Sequence, residues 1–252
     1  MNKSCNITAL ICTFSRSEYI YETIQSIKNQ SHLVDEILIV ESGDYEFYEN
    51  YKSNFSEDRV RVLYLPGALL GAARNFGVKN SKKGIVIFGD DDDIWNTHRV
   101  SKIIDSLNSE NISVCVHNFE VFGEGVERHS PLKRIKYGNK FVINNLVTNR
   151  VGGGSSFAAK KEILCLIPFD ENLKRAEDID WWLRLMLAEV RIGVLEENLV
   201  SYRLHSGRMS GTDLNSVIGE LYFIKKYLRL GFIIIIGAVL KTLRIIVKYV
   251  HK

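Results

Sequence analysis

Short apolar runs alternate with helix-like segments through the first 110 residues of the chain. Four compact runs rich in β-branched residues have the pattern of buried strands: Ile7–Phe14, Glu36–Ser42, Val60–Pro66 and Gly84–Gly89. The segments after them predict helices: one opened by a capping box of Ser15 and Glu18, one near residues 45–55, one containing "AARNFGVKN" and one over residues 97–109. This β-α-β-α-β-α-β order predicts an α/β, Rossmann-like fold with a mostly parallel central sheet and helices on both faces.

The pattern is looser in the second half. Strand-like "ISVCVHNFEVFG", a glycine loop "VGGGSS", a helix over "DIDWWLRLMLAEV" and strands in "RIGVLEENLVSYRLH" follow in that order. We therefore predict one domain over residues 1–212, with a first half at 1–110 and a second half at 111–212.

Residues 213–252 predict a separate helical and basic tail. Leu230–Leu240 is strongly apolar but too short to span a bilayer, which takes about 20 apolar residues. Lys241, Arg244 and Lys248 follow at helical spacing and share one face. This pattern favours a helix lying in an anionic membrane interface. The alternative is a helix packed on the domain or on a second subunit.

Charge and composition narrow the class of protein. A formal net charge of +3 is close to balance and argues against nucleic acid as the main partner. The four cysteines are scattered without a CxxC pair, and the first residues lack the pattern of a signal peptide. We therefore expect a cytoplasmic protein.

Four consecutive aspartates, Asp90 to Asp93, follow the fourth predicted strand. If the segment is extended, Asp90 and Asp92 share one face. Two converging carboxylates are ligands suited to Mg²⁺ or Mn²⁺, and such an ion commonly also binds substrate phosphates. A helix N-terminus explains one or two aspartates but not four, and the spacing of a calcium-binding EF-hand loop is absent.

A second acidic group lies in "RAEDIDWWLRL". On a helix, Glu177, Trp181 and Arg184 share one face, and Asp178 lies beside them in the first turn. Asp178 is a candidate general base for an incoming hydroxyl. The same residues also suit a helix cap with an internal ion pair. Because adjacent tryptophans are not expected to face one core, we expect Trp181 or Trp182 to offer an exposed surface for a sugar.

The remaining candidates are weak when taken singly. His205 ends a predicted strand, and Arg74 and Asn75 are polar residues on a short helix. Gly153 and Gly154 form either an ordinary turn or a place where the backbone approaches a substrate.

Taken together and in this order, the motifs resemble the inverting family 2 glycosyltransferases with the GT-A fold. The resemblance covers about Ile7 to Ser210. It rests on "ITALICTFSR", "EILIVESGD", "GAARNFG", "FGDDDDIW" as the DXD motif, "AEDIDWWLRL" as the Glu-Asp motif, and "YRLHSGRMS" as the C-terminal histidine motif. The second departs from the family's usual Asp-Asp-Gly-Ser because Glu41 stands first.

The resemblance implies a role for each candidate residue. Residues 1–110 become the nucleotide-binding half and residues 111–212 the acceptor-binding half. Asp178 is the expected base, with Glu177 beside it, and Asp90, Asp92 and His205 are the expected metal ligands. The donor is expected to contact Thr13, Arg16, Glu41, Gly43, Arg74, Asn75, Asp90, Asp91 and Asp92. The acceptor is expected to contact Gly153, Gly154, Trp181 and Trp182.

The expected function is inverting transfer of a sugar from a nucleotide-diphosphate sugar, with UDP as the expected nucleotide, in surface polysaccharide biosynthesis. The expected acceptor is a hydroxyl of a glycan or lipid-linked saccharide, and the expected cofactor is Mg²⁺ or Mn²⁺. The expected location is the cytoplasm, with the protein attached peripherally to the inner face of the cell membrane. One rival is a nucleotidyltransferase of sugar phosphates, but "CTFSRSEYI" lacks the glycine-rich loop that such an enzyme is expected to have. The other is a non-catalytic nucleotide- or carbohydrate-binding module, which has no need of Asp178.

Overall fold

The computed structural model describes residues 6–16, 18–57, 59–82, 84–109, 112–123, 153–205 and 225–227. Its strands are β1 (Asn6–Thr13), β2 (Glu36–Glu41), β3 (Val60–Tyr64), β4 (Gly84–Asp90), β5 (Ile94–Trp95), β6 (Val114–Gly123), β7 (Phe157–Lys160) and β8 (Ile192–Leu204). Its helices are α1 (Ile20–Lys28), α2 (Tyr45–Asn54), α3 (Leu70–Asn80), α4 (Arg99–Leu107), α5 (Lys161–Leu166) and α6 (Glu177–Leu187), with a 3₁₀ turn at Gly154–Ser156.

All eight strands of the described residues form one sheet in the order β3-β2-β1-β4-β7-β6-β8-β5. The first four in that order run parallel, as the βα alternation predicts. β7 is antiparallel to both β4 and β6, β6 is parallel to β8, and β5 is antiparallel to β8. The parallel half therefore continues into a mixed half within the same sheet.

Each face of the sheet carries its own apolar core, because neighbouring residues of a strand point to opposite faces. Ile39 of β2 belongs to the core that α1 and α4 cover. Leu38 and Val40 of the same strand belong to the other core, under α3 and α6. The nearly continuous apolar sequence of β2 is explained by this double coverage.

The expectation that one tryptophan of the adjacent pair is exposed is wrong. Trp181 and Trp182 expose 0% and 1% of their surface. They contact each other and Phe157, and Phe169 stacks on Trp181 at a ring-centroid distance of 5.1 Å. α6 is covered on two sides, so positions about 100° apart on the helix are both buried. In this structure neither indole offers a surface to an acceptor sugar.

The predicted capping box is also wrong, because α1 begins at Ile20 and no side chain caps it. Ser15 has a left-handed backbone conformation with φ of 49°. Its Oγ accepts a hydrogen bond from the backbone N of Asp44 at 2.7 Å and donates one to the carboxylate of Asp44 at 3.1 Å. Ser15 thus joins the loop after β1 to the start of α2.

Of the predicted tail at 213–252, the structure describes only residues 225–227, so Lys241, Arg244 and Lys248 lie outside the described residues. Among the helices that are described, none combines the length and the apolar character that crossing a membrane requires.

Candidate active site

The carboxyl ends of β1, β2 and β4 lie level with one another. Cys12 of β1 is paired with Asp90 of β4, and Thr13 is paired with Glu41 of β2. In parallel α/β sheets ligands bind at this edge. The four aspartates, which we call the aspartate turn (Asp90–Asp93), leave the sheet here.

The aspartate turn is not extended, because β4 ends at Asp90 and the chain turns at Asp91 and Asp92. The alternation argument therefore does not apply, and each carboxylate has its own surroundings. Asp90 exposes 30% of its side chain, and its Oδ1 lies 3.6 Å from Nη2 of Arg74. Burial, which outweighs the attraction of Arg74, raises the pKa of Asp90 to about 6.

Asp91 is buried and holds the end of β1. Its Oδ2 accepts a hydrogen bond from Oγ1 of Thr13 at 2.6 Å, and its Oδ1 forms an ion pair with Arg16. Burial raises the pKa of Asp91 to about 7 in spite of Arg16. The Thr13 hydroxyl and one guanidinium nitrogen of Arg16 are thus engaged with the turn.

Asp92 and His205 contact each other directly, with Oδ2 of Asp92 2.9 Å from Nε2 of His205. Arg16 Nη1 lies 3.6 Å from the same oxygen. Among the described residues, no three His, Cys, Asp or Glu side chains are arranged as a ready set of metal ligands. The structure brings two of the three predicted metal ligands, Asp92 and His205, into direct contact.

Asp93 is fully buried and accepts a hydrogen bond at Oδ1 from the backbone N of Arg203, at 3.0 Å. Burial, together with the charges of Asp90 and Asp92, raises its pKa well above the ordinary value. Asp93 therefore fastens the turn to β8 rather than facing a ligand.

Arg74 connects the aspartate turn to α6. Its Nη1 donates to Oε1 of Glu177 at 2.6 Å, and both side chains are buried. Burial raises the pKa of Glu177 to about 7, and the guanidinium of Arg74 opposes that rise. The Glu177 carboxylate is consequently engaged in a buried ion pair with Arg74.

Asp178 differs from Glu177 because it is half-buried, in the first turn of α6. Its Oδ1 accepts a hydrogen bond from the backbone N of Ile179 at 2.8 Å. Its charge is close enough to influence the pKa values of both Asp90 and Arg74. Of the two predicted acids, Asp178 is the one with access to solvent beside the turn.

Gly154 fits closely against this ionic cluster. A Cβ added to Gly154 would lie 2.7 Å from Oδ1 of Asp90 and closer still to Nη2 of Arg74. A Cβ on Gly153 would meet nothing within 4 Å. Gly154 thus allows the backbone to approach Arg74, and Gly153 borders open space.

Glu41 is fully buried at the end of β2. Its Oε1 accepts hydrogen bonds from the backbone N of Ser15 at 3.0 Å and of Gly43 at 2.5 Å. Burial raises its pKa, although these hydrogen bonds oppose the rise. Its Oε2 is buried and has no hydrogen-bond partner among the described residues. Glu41 therefore joins the loops after β1 and β2, with one oxygen left unpaired.

The side chain of Asn75, a predicted donor contact, is engaged with the loop after α5. Its amide nitrogen donates to the carbonyl of Phe169 and to Glu171, and its amide oxygen accepts from the backbone N of Phe169, each at 2.9 Å. Asn75 thus holds the loop after α5 against α3.

Comparison with known proteins identifies the family of the chain. The protein-family model described as "Glycosyl transferase family 2" matches residues 8–164. The chain belongs to glycosyl transferase family 2. The predicted family is therefore confirmed, and the match includes most of β1, the aspartate turn and β7.

Individual members of the family are distant in sequence. The minor teichoic acid biosynthesis protein GgaA of Bacillus subtilis (strain 168) is 23% identical over 229 residues, covering 86% of this chain and 50% of GgaA. The O-antigen biosynthesis glycosyltransferase WbnJ of Escherichia coli is 24% identical over 233 residues, covering 88% of this chain and 89% of WbnJ. The chain thus spans half the length of one relative and most of the other.

A solved structure confirms the predicted GT-A fold. The crystal structure of S. aureus TarS 1-349 in complex with UDP-GlcNAc matches with a TM-score of 0.70 and 17% sequence identity. The match covers 89% of this chain and 67% of that chain.

Two arginines that sequence reasoning missed also build this family 2 site. Arg99 is fully buried, and its Nη2 donates to the carbonyls of Phe88 and Ser155. Arg203 donates from Nε to the carbonyl of Asp92 at 2.9 Å. Arg99 follows Asp90 by nine residues, and Arg203 lies inside the quoted "YRLHSGRMS" motif, two residues before His205, so position relative to the motifs was the only available signal.

The raised pKa values predict how stability depends on pH when divalent cations are removed. Asp91 and Glu177 have pKa values of about 7, above those of unfolded chains, so the native state binds more protons. The free energy of unfolding is therefore expected to fall as pH rises from about 6.5 to about 8. Buried His117, whose pKa is lowered, weakens the fold only on the acid side of about 6.5.

Urea unfolding in EDTA buffer across this range checks the trend. Exposed Asp105 supplies a control, because Asp105→Asn is expected to keep the wild-type slope. Stability that is constant or rises between these pH values would contradict the raised pKa values.

Proposed function

We propose that the chain transfers a sugar from a nucleoside-diphosphate sugar to an acceptor hydroxyl, with inversion at the anomeric carbon. The observation that carries this proposal is the contrast within the first turn of α6. Glu177 is buried and paired with Arg74, whereas Asp178 is half-buried beside the aspartate turn. A solvent-accessible carboxylate at the ligand-binding edge of the sheet is suited to general-base catalysis.

The donor is proposed to lie along the carboxyl ends of β1, β2 and β4. Arg16 and Arg74 supply positive charge there, and both approach the carboxylates of the aspartate turn. The unpaired Oε2 of Glu41 is a candidate acceptor for an N–H group of a nucleobase if the loops after β1 and β2 move apart. The complex of TarS with UDP-GlcNAc favours a uridine nucleotide.

A divalent cation, Mg²⁺ or Mn²⁺, suits the aspartate turn. Asp90 is partly exposed, and its Oδ1 lies 3.6 Å from Arg74, beyond hydrogen-bond distance, so this carboxylate can still accept a cation. Asp90 and Asp92 would hold the ion, and His205 would join them if it released Asp92. When bound, the ion neutralises the diphosphate as it departs.

The reaction is a single displacement. Asp178 takes the proton of the acceptor hydroxyl, and that oxygen forms a bond to the anomeric carbon from the face opposite the diphosphate. The bond between the anomeric carbon and the diphosphate oxygen breaks, and the nucleoside diphosphate leaves with the electron pair. Arg74 holds Glu177 and so keeps it from competing as the base.

The acceptor is proposed to be a glycan or lipid-linked saccharide of a surface polysaccharide. GgaA is named for teichoic acid biosynthesis and WbnJ for O-antigen biosynthesis, which supports this class. A lipid-linked acceptor also suits the basic, apolar pattern of residues 213–252, which favours peripheral attachment at the cytoplasmic face of the membrane.

A thermal-shift panel of UDP, CDP, GDP and ADP, each with Mn²⁺ or EDTA, tests donor and cation together. We expect UDP with Mn²⁺ to raise the melting temperature most, because a ligand that binds only the native state stabilises it. An equal response to all four nucleotides would contradict uridine recognition, and an unchanged UDP shift in EDTA would contradict the cation.

The reaction products separate the rival functions. A glycosyltransferase releases UDP from UDP-N-acetylglucosamine, slowly when water is the acceptor. A nucleotidyltransferase instead releases pyrophosphate from UTP and a sugar phosphate. A non-catalytic module binds the nucleotide and releases neither product.

A further inference from the structure

A buried carboxylate two residues beyond Asp178 is held by residues from the far end of the chain. Asp180 of α6 exposes none of its surface. Its Oδ1 accepts from Nζ of Lys226 at 2.6 Å and from the hydroxyl of Tyr227 at 2.5 Å. Its Oδ2 accepts from Nε of Arg184, one turn along α6, at 2.8 Å. Lys226 and Tyr227, which we call the clamp, thus supply two of the three donors that the described residues offer to this carboxylate.

Lys226 also reaches a second acid. Its Nζ lies 2.5 Å from Oδ2 of Asp170, in the loop between α5 and α6. The backbone of the neighbouring residue, Phe169, is hydrogen-bonded to the side-chain amide of Asn75 of α3. Lys226 therefore connects this loop with α6, behind the face that carries Asp178.

The start of α6 has a strained backbone and no side-chain cap. Its N-cap residue, Ala176, has a left-handed φ of 63°, and no side chain caps the helix. Such a conformation is unfavourable in a residue other than glycine and persists only where surrounding contacts impose it. The polar contacts on this turn include Arg74 at Glu177 and the clamp at Asp180. The direction in which Asp178 points thus depends on both.

We propose that Lys226 and Tyr227 are positioning residues, which orient the first turn of α6 through Asp180 and so aim Asp178 at the acceptor. The proposal rests on the proposed function for its catalytic consequence. It also makes the segment at 225–227 part of the catalytic unit. Removing the clamp should then impair turnover and leave donor binding intact.

The test compares four single variants of the full chain. Tyr227→Phe removes only the hydroxyl, Lys226→Met removes the ammonium, and Lys226→Arg keeps a positive charge for rescue. Lys225→Met is the matched control, because Lys225 is the exposed neighbour in the same segment. For each, we would measure kcat for release of UDP from UDP-N-acetylglucosamine, UDP affinity, and amide hydrogen exchange in the first turn of α6.

We expect Lys226→Met and Tyr227→Phe to lower kcat about tenfold, with UDP affinity unchanged and faster exchange in that turn. Lys226→Arg should recover most of kcat, and Lys225→Met should match the wild type. Folded clamp variants with wild-type kcat would overturn the proposal, whether or not exchange changes. If the wild type releases no UDP, the proposed function fails, and unchanged exchange would then separately refute the coupling of the clamp to α6.

Discussion

Replacing Asp178 by Asn is expected to lower kcat for release of UDP from UDP-N-acetylglucosamine by about 10³-fold, within the range that general bases contribute. The amide keeps the size of the side chain but cannot take up the acceptor proton. It also keeps an oxygen able to accept from the backbone N of Ile179, as Oδ1 does in the structure. The start of α6 should therefore be preserved, and UDP affinity and melting temperature should remain close to those of the wild type.

Two further variants separate the loss of the base from other effects of the substitution. Glu177→Gln separates the neighbouring acids, because Glu177 is buried against Arg74 and is not expected to act as the base. Its effect should fall mainly on stability. Asp105→Asn, an exposed position on α4, controls for the loss of one negative charge. Retained turnover in Asp178→Asn would remove Asp178 from the mechanism, and a larger catalytic loss in Glu177→Gln would exchange the two roles.

The parallel half of the fold was predictable because each strand there is a short apolar run buried on both faces. β2 shows this most plainly, since successive residues enter opposite cores. The mixed half of the sheet was harder to predict from the sequence. β5 has only two residues, and its pairing with β8 joins positions about a hundred residues apart, beyond the reach of local periodicity.

The wrong predictions near the site have a common physical origin. Contacts with residues distant in sequence replaced the local interactions that the pattern indicated. Ser15 has the spacing of a helix cap, but its hydroxyl is hydrogen-bonded to Asp44 instead. Trp181 and Trp182 point in different directions from α6, but surrounding aromatic residues bury both. The residue types of the aspartate turn indicated a crowded acidic site. Which residue each carboxylate contacts could be known only from the folded structure.

Arg74 shows how strongly the site depends on one buried cation. Replacing it by Met removes the partner of Glu177 and the nearest positive charge to Asp90. Loss of one partner of a buried ion pair typically costs about 3 to 5 kcal/mol in the free energy of unfolding. For a chain of this size that corresponds to a melting temperature lower by roughly 10 °C. The exposed pair of Lys102 and Glu197 is the matched control, because solvent screens it and Lys102→Met should leave the melting temperature close to that of the wild type.

The pH dependence of this loss identifies its cause. Without Arg74, the pKa of Glu177 is expected to rise above its value of about 7, and an acid with a raised native pKa weakens the fold as pH increases toward that value. The deficit of Arg74→Met should therefore be larger at pH 8.5 than at pH 6. The double variant Arg74→Met/Glu177→Gln should recover much of the stability at the higher pH, since an amide carries no charge to be left unpaired. Urea unfolding of the wild type and both variants at the two pH values measures this, and a deficit that is independent of pH and of Glu177 would attribute the loss to packing against Phe169 instead.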